Sequence, residues 1–352
     1  MQAAVLVKPN TIEVKDIDKP HCSVDEVLVK VAFCGICGSD VPRVFEGTSR
    51  MYPNVLGHEF SGTIEQVGDR VDASLLGLRV SGVPLIPCMH CDACTQGNFA
   101  LCESYDFIGS RRFGALAEYV AVPASNVYPL AEGTGLLEAS FFEPAAVAMH
   151  AIDLTAFKPG AAVAIMGCGT IGVILGQIAL ALGASKVVAV GRRKSRLDVA
   201  QASGIKDVID TSKQDWKNSL FALNDNKGFD FVFETSGNAD FMSDSFSIAG
   251  IKACVCMVGT PKKEIQFSVS QWEELNRKEL TVMGSWMSYS SPFPGKEWKK
   301  VSDMFDSGAI HSLEHMLDTI YPLSQAQEAF GRFKNQQSIN GKLVIQCNDF
   351  GF

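Results

Sequence analysis

Four cysteines lie within one short stretch of the chain, in the order C-x2-C-x2-C-x7-C: Cys88, Cys91, Cys94 and Cys102. Four thiolates fill a tetrahedral zinc ion and leave no open position, which is a structural arrangement. The chain begins MQAAVLVKPN, without a charged and apolar leader, so we expect a cytoplasmic protein, and disulfides rarely persist in that compartment. The spacing predicts a structural zinc site. A redox clip and ordinary core thiols are the alternatives.

Two other motifs contain metal-ligand residue types, namely CGSD at 37–40 and GHE at 57–59. The Cys37 thiolate, the His58 imidazole and the Glu59 carboxylate supply three ligands for a zinc ion whose fourth position stays open to water or substrate. A single Cys or His is more often a core or surface residue than a ligand. The prediction of a catalytic zinc therefore depends on finding these motifs together.

The segment 167–172 reads GCGTIG, a G-x-G-x-x-G pattern between a predicted strand, AAVAIMG, and a predicted helix, TIGVILGQIALALG. In that setting the glycines allow a tight turn, a close approach of a pyrophosphate, and close packing of helix on strand. The alternative is a helix start that only needs glycine. We predict a dinucleotide site that includes Gly167, Gly169, Thr170, Ile171 and Gly172.

The residue that ends the second strand of this unit, about twenty positions further on, determines how the adenosine ribose is bound. Here it is Gly191 rather than an acid, and Arg192 and Arg193 follow. Guanidinium groups suit a 2′-phosphate, whereas an NAD site uses a carboxylate for the 2′-hydroxyl. We therefore favour NADP(H) over NAD(H). NAD held by other contacts, beside a solvated basic helix start, is the alternative.

The arrangement of predicted elements indicates an α/β protein with two domains. Residues 1–150 contain short strands broken by Gly, Pro and Asp, such as EVLVKVAFCGI and LRVSGVPLI, which is typical of a β-rich, barrel-like domain. Residues 151–285 alternate strand and helix, which predicts a doubly wound parallel sheet, and residues 286–352 are expected to complete the first domain. We expect ligands to bind in a cleft between the two domains.

Composition excludes several classes of protein. The 352 residues are 47% hydrophobic and 20% charged, which is typical of a globular chain, and no apolar run is long enough for a membrane helix. The net charge of -8 argues against nucleic acid as the main partner. A small-molecule substrate is the expected partner.

Taken in order, GHEFSG, CGICGSD, the four-cysteine lobe and the G-x-G-x-x-G make the chain similar to zinc-dependent medium-chain dehydrogenases over essentially its full length. The polyol branch is indicated by Phe142-Glu143-Pro144, which matches its EP motif. The resemblance implies a GroES-like catalytic domain and a Rossmann domain. It also implies that Cys37, His58 and Glu143 hold the catalytic zinc, with Glu59 as a near or exchanging ligand. A homodimer or homotetramer, formed through the edge of the cofactor sheet and the SWMSY segment, is implied as well.

The expected reaction is reversible oxidation of a secondary alcohol to a ketone, with Ser39 as a proton relay. Free-polyol enzymes of this branch often read CGSDVH, whereas this chain reads CGSDVPR. A positive charge near the site favours a phosphorylated polyol, with galactitol 1-phosphate converted to tagatose 6-phosphate or a close analogue. Candidates for binding the phosphate are Arg43, Arg111, Arg112 and Lys296. The alternatives are a dehydrogenase of free polyols or of a pentitol phosphate, and a non-catalytic cofactor-binding protein of the same fold.

Overall fold

The structure is a computed structural model that describes residues 1–311, 313–334 and 339–350. The chain divides into two compact units. Unit 1 comprises Met1–Pro144, Tyr289–Asp306 and Leu317–Phe352, and unit 2 comprises Ala145–Ser288 and Ser307–Met316. No helix in the described ranges is long and apolar enough to cross a membrane.

Unit 1 begins with short strands and short helices. The strands are β1 (Gln2–Lys8), β2 (Thr11–Asp16), β3 (Glu26–Gly35), β4 (Asn54–Val55), β5 (Glu59–Val67), β6 (Arg79–Gly82), β7 (Leu85–Ile86), β8 (Asp106–Phe107), β9 (Tyr119–Pro123) and β10 (Val127–Pro129). The helices are α1 (Asp40–Phe45), α2 (Asp92–Thr95) and α3 (Leu136–Ala139), and the 13-residue α4 (Phe142–Leu154) begins in this segment and continues into unit 2. Short 3-10 turns lie at Ala73–Leu75, Phe99–Leu101 and Ala124–Asn126.

Unit 2 alternates strands and helices. The strands are β11 (Ala162–Met166), β12 (Lys186–Gly191), β13 (Asp207–Asp210), β14 (Phe229–Glu234), β15 (Ala249–Met257) and β16 (Thr281–Gly284). The helices are α5 (Thr170–Ala181), α6 (Lys194–Ala202), α7 (Trp216–Ala222), α8 (Ala239–Ile248) and α9 (Val269–Arg277). The remaining elements are α10 (Lys296–Asp306), α11 (Leu313–Met316), β17 (Leu317–Pro322), a 3-10 turn at Leu323–Gln325, α12 (Ala326–Gly331) and β18 (Lys342–Gln346).

The main sheet of unit 1 has the order β10-β6-β5-β3-β18-β17, with β9 also paired to β3. Its centre, β3, is apolar and almost fully buried. The last described strand, β18, runs antiparallel to β3, so residues near 342 lie beside Gly35 and the start of β5. This pairing brings the end of the chain to the Cys37 and His58 motifs. Smaller sheets are formed by β2-β1-β4 and by β7-β8.

One predicted strand of unit 1, LRVSGVPLI, is in fact two short strands, β6 and β7. Pro84 has no amide hydrogen and cannot donate to a strand ladder, so it interrupts the run. The preceding residue, Val83, bonds instead to the Asn126 carbonyl at 2.9 Å. β7 then pairs with β8, next to the four-cysteine segment.

The sheet of unit 2 is parallel and has the order β13-β12-β11-β14-β15-β16. All five residues of β11 are buried, which is typical of a central strand with both faces covered. The helix that follows, α5, is buried along most of its length. These elements place the glycine-rich turn at the carboxyl edge of the sheet, where ligands of open α/β sheets bind.

Candidate active site

The structure brings Cys37, His58 and Glu59 together in unit 1. Their ligand atoms all lie within 4.8 Å of one another. Cys37 follows β3, and Glu59 begins β5, which is paired antiparallel to β3 with Gly35 opposite Glu59. The sheet register therefore juxtaposes two motifs that are twenty residues apart in the chain.

The chemistry of this donor set fits a divalent cation. Burial, and then the Glu59 carboxylate, raise the pKa of the Cys37 thiol, so a cation is needed to make it a thiolate. Behind the His58 ring, Asp40 Oδ1 lies 3.6 Å from Nδ1. Metal-binding histidines commonly present their second nitrogen to a carboxylate, which orients the ring. Asp40 is a residue that the sequence interpretation missed, although it stands within the CGSD motif.

Glu143, the other expected ligand, lies in the first turn of α4 and is buried. Burial raises the pKa of Glu143 to about 7, and it interacts electrostatically with His58 and Glu59. The Glu143 carboxylate does not belong to the group formed by Cys37, His58 and Glu59, whose ligand atoms lie within 4.8 Å of one another. Of the two glutamates, the structure thus places Glu59 nearer to Cys37 and His58.

Lys342 is a second residue that motif reasoning missed. It starts β18, is buried, and forms an ion pair with Glu59 Oε2. Burial would lower the pKa of Lys342, but the charges of Glu59 and Cys37 outweigh this effect and leave the pKa raised. The ammonium group thus adds a positive charge to a cluster of acidic groups. A lone Lys at the start of a predicted strand carried no sequence signal for this role.

Ser39 and Arg43 extend the cluster toward solvent. Ser39 Oγ donates to Cys37 Sγ at 3.3 Å, and Arg43 Nη1 donates to Ser39 Oγ at 3.1 Å and to Asp40 Oδ1 at 2.7 Å. The Arg43 side chain is 21% exposed. A half-buried guanidinium therefore lies two contacts from the Cys37 sulfur.

A series of aromatic contacts connects His58 to Arg111. The Phe107 ring meets His58 edge-on with centroids 5.4 Å apart, and Tyr105 meets Phe107 at 6.4 Å. The Arg111 guanidinium lies over the Tyr105 ring, 4.0 Å from its centroid, in a cation–π contact. The YDFIGSRR segment thus connects Arg111 to His58 through two aromatic rings.

The other two candidates for binding a substrate phosphate are Arg112 and Lys296. Arg112 Nη2 donates to Glu26 Oε1, at the start of β3, at 2.8 Å and to the Ala121 carbonyl of β9. Lys296 is exposed at the start of α10. Arg43 and Arg111 are the candidates whose contacts lead to Cys37 and His58.

The four cysteines of the lobe come together with their sulfur atoms within 4.8 Å. Cys88 Sγ lies 3.9 Å from Cys94 Sγ, and Cys91 Sγ lies 3.9 Å from Cys102 Sγ. These separations are close to the value of about 3.8 Å for a tetrahedron with Zn–S bonds of about 2.3 Å, and far above the roughly 2 Å of a disulfide. The geometry fits a metal ion and excludes paired disulfides.

The pKa values of the cysteine thiols in the lobe also indicate a bound cation. The backbone N–H of His90 lowers the pKa of Cys88 to about 5, whereas burial raises the pKa of Cys94 to about 12. The four thiols would not all be deprotonated together near neutral pH without a positive ion between them. His90 itself has its Nδ1 at 2.6 Å from the Cys88 carbonyl, so it is occupied by the backbone.

In unit 2 the glycine-rich turn has the shape that a dinucleotide needs. A Cβ on Gly167 would lie 2.8 Å from Ser236 Cβ, and one on Gly172 would lie 2.1 Å from the Gly167 carbonyl oxygen. Gly167 also has a φ of +124°. A Cβ on Gly169 would meet only an arginine, 3.9 Å away, so this position is open to a ligand. Thr170 and Ile171 begin α5, whose N-cap is Gly169, and the exposed N–H groups at such a helix start suit a pyrophosphate.

Gly191 ends β12, as expected from the sequence, and is buried. Arg192 is exposed. Arg193 is the N-cap residue of α6 and is half-buried, and burial lowers the pKa of its guanidinium. The end of β12 therefore carries no acid and is followed directly by two cations.

Comparisons with known proteins agree with this organisation. Residues 23–132 match the alcohol dehydrogenase GroES-like domain, and residues 170–307 match the zinc-binding dehydrogenase family. The chain is 39% identical to galactitol 1-phosphate 5-dehydrogenase of Escherichia coli (strain K12) over 83% of this chain and 84% of the relative. It is 30% identical to sorbitol dehydrogenase of Bacillus subtilis (strain 168) over 96% and 95%.

Solved structures show the same similarity. The crystal structure of galactitol-1-phosphate dehydrogenase from Escherichia coli superposes with a TM-score of 0.92 at 35% identity, covering 98% of this chain and 100% of that one. A putative zinc-binding dehydrogenase from Sinorhizobium meliloti 1021, bound to NADP, gives 0.88 at 28% identity, covering 98% of each chain. The expected GroES-like and Rossmann-like domains are thereby confirmed. The chain belongs to the zinc-type medium-chain alcohol dehydrogenases, oxidoreductases that act on CH–OH groups with NAD(P).

Proposed function

We propose that the chain reversibly oxidises a secondary alcohol of a sugar-alcohol phosphate, such as galactitol 1-phosphate, to the ketose phosphate, with NADP(H) favoured. The observation that carries the phosphate proposal is the Arg43 guanidinium, bonded to Ser39 Oγ and Asp40 beside the Cys37 sulfur. Arg111, stacked on Tyr105, supplies a second cation in the His58 neighbourhood. Guanidinium groups bind phosphate through paired, charge-assisted hydrogen bonds.

The residues of the site have distinct roles in this proposal. Cys37, His58, Glu59 and Glu143 would hold the catalytic zinc, which as a Lewis acid favours deprotonation of a bound alcohol. Ser39 Oγ, which donates to Cys37 Sγ and accepts from Arg43 Nη1, would take up the alcohol proton and release it to water. Asp40 Oδ1, 3.6 Å from His58 Nδ1, and the edge-on Phe107 ring would limit the rotation of the imidazole.

The test compares each polyol with its phosphate ester. For the unmodified protein we expect kcat/KM for galactitol 1-phosphate to exceed that for galactitol by about 100-fold or more, which corresponds to a charge-assisted pair. Arg43→Gln should reduce this ratio about 10-fold or more, because the ratio removes any general effect on catalysis. Arg70→Gln, which deletes an arginine paired with Asp25 on the surface, is the matched control.

Three outcomes would favour a different function. Equal kcat/KM values for alcohol and ester would remove the phosphate proposal and favour a free-polyol enzyme, as in the sorbitol dehydrogenase relative. A preference for pentitol phosphates over hexitol phosphates would keep the phosphate and change the sugar. Bound zinc without turnover of any polyol would favour a non-catalytic protein.

We further propose a homodimer or homotetramer formed through β16. This strand ends the parallel sheet and, among the strands of the described residues, pairs with β15 alone. Val282 is 40% exposed and the nearby Trp286 is 52% exposed. An open edge with exposed apolar side chains favours strand addition by a second copy. Sedimentation analysis of Val282→Lys should show a shift to smaller species, and an unchanged oligomer would contradict the edge assignment.

A further inference from the structure

Unit 1 contains a cavity of about 710 Å³. Small-molecule sites in proteins usually have volumes of roughly 300–1,000 Å³. The described residues that line this cavity come mainly from β3, β4, β9 and the segments that flank them, and Cys37, His58 and Glu59 are not among them. The cavity is therefore large enough for a ligand of its own, away from the metal-ligand group.

Part of the cavity wall is apolar and aromatic. Ile17, Val55 and Val120 contribute aliphatic side chains, and Phe113 and Tyr119 contribute aromatic rings. The Phe113 ring is 43% exposed, and covering such a ring removes apolar surface from water. A ligand with an apolar or aromatic body would therefore gain affinity from this wall.

The Arg112 guanidinium also lines the cavity and has donors available. Its Nη2 donates to Glu26 Oε1 at 2.8 Å and to the Ala121 carbonyl at 3.3 Å. In the part of the chain that the structure describes, its Nε and Nη1 make no hydrogen bond. A guanidinium carries five N–H donors and no acceptor. The donors of Nε and Nη1 therefore remain for an anion in the cavity.

The other charged side chains of the cavity limit the charge of that anion. Lys19 Nζ already pairs with Glu65 at 2.7 Å. Glu26, which pairs with Arg112, and Asp18 also line the cavity, and both would repel a group with two negative charges. A carboxylate brings one negative charge and two acceptor oxygens, which suits a single guanidinium.

We propose that this cavity is a second ligand site, which binds a small monocarboxylate with an apolar or aromatic body. Arg112 Nε and Nη1 bind the carboxylate, and the rings of Phe113 and Tyr119 pack against the body. This site does not depend on the phosphate site proposed above, since it uses neither Arg43 nor Arg111.

A binding comparison tests the role of Arg112. Isothermal titration calorimetry of the zinc-loaded protein would measure phenylpropionate and its neutral isostere phenylpropanamide. We expect the carboxylate to bind about 10-fold or more tightly than the amide, as in a charge-assisted pair. Arg112→Gln should bring the two affinities within about 2-fold of each other, whereas Arg112→Lys should keep part of the preference.

Glu26→Gln should have the opposite effect. It removes the negative charge beside Arg112 and keeps an oxygen that can accept the hydrogen bond, so phenylpropionate should bind several-fold more tightly and phenylpropanamide as before. The matched control is Arg277→Gln, which removes an exposed arginine paired with Glu273 in unit 2 and should change neither affinity.

A third variant separates this cavity from the catalytic zinc, to which a carboxylate could also bind. Cys37→Ala removes an expected ligand of that zinc and should leave the affinity for phenylpropionate unchanged. Loss of binding in Cys37→Ala would assign the carboxylate to the metal and overturn the proposal. Equal affinities of acid and amide for the unmodified protein, no binding of the acid at millimolar concentration, or a preference that Arg112→Gln or Glu26→Gln leaves unchanged would overturn it as well.

Discussion

The Lys342 ammonium group pairs with the Glu59 carboxylate inside unit 1, with side chains only 7% and 3% exposed. Glu59 also lies with Cys37 and His58 in a group of side chains that could hold a metal ion. Without Lys342 the buried Glu59 carboxylate would lose its ion-pair partner, with the buried Glu143 carboxylate acting on the same cluster. The pair therefore balances charge at a site that must also accept a cation.

Lys342→Met should destabilise the protein strongly. Removing one partner of a buried ion pair leaves the other charge uncompensated, which costs about 3 kcal/mol or more. Urea unfolding at equal zinc content would measure this loss. The double variant Glu59→Gln/Lys342→Met should lose less than the sum of the single variants, and Lys342→Arg should keep most of the stability. Additive single losses would show that the two side chains do not interact.

The two glutamates should differ in zinc retention. Glu59 lies within 4.8 Å of the Cys37 and His58 ligand atoms, whereas Glu143 lies outside that group. We expect Glu59→Gln to lose catalytic zinc faster against a chelator than Glu143→Gln, by about 10-fold, the lower end of the range for a disturbed metal site. Metal analysis after timed dialysis measures both rates, with the zinc of the four-cysteine lobe as internal reference. The reverse order would assign direct ligation to Glu143.

The sequence predicts most directly which residues lie together when those residues are close in the chain. The four cysteines lie on one loop, and the glycine-rich turn connects adjacent elements, so spacing alone constrains their geometry. Lys342 reaches Glu59 only because β18 pairs with β3. That register depends on the whole sheet and leaves no local signal.

Neighbouring residues can also separate, which spacing does not reveal. Arg111 stacks on Tyr105, while Arg112 turns to Glu26. The sequence SRR gives two adjacent cations and no indication of which one faces the site. The backbone conformation at Arg111 and Arg112 determines which of the two side chains faces the site, because successive side chains of an extended segment point in opposite directions.

The four-cysteine lobe supports the segment 289–298, and this coupling is testable. Phe99 meets Phe293 edge-on at 5.5 Å, and the Ala100 N–H donates to the Tyr289 carbonyl at 3.4 Å. Cys91→Ala removes one of the four metal ligands. We expect faster hydrogen exchange in residues 88–102 and also in 289–298, because the second segment loses its support.

Matched variants make that experiment specific. Cys254→Ala, a buried thiol of β15 outside the lobe, should leave exchange in both segments unchanged. Phe293→Ala should speed exchange in 289–298 while the lobe keeps its zinc. Protection of 289–298 that is unaffected by Cys91→Ala would show that the segment does not depend on the metal lobe.

The Arg112–Glu26 pair should act on stability in a pH-dependent way. Burial opposes the charge on Glu26, but hydrogen bonds from Arg112 and Ser23 outweigh it and hold the pKa of Glu26 below its usual value. A carboxyl whose folded pKa is lowered stabilises the protein above its unfolded pKa, and this contribution is lost as the pH falls through the folded pKa. Arg112→Gln should therefore cost about 1 kcal/mol at pH 7 and progressively less below about pH 4. Urea unfolding across that range would measure the difference, with Arg70→Gln, from an exposed pair, as control. A loss that stays constant down to acid pH would mean that Arg112 stabilises the fold by packing rather than through Glu26.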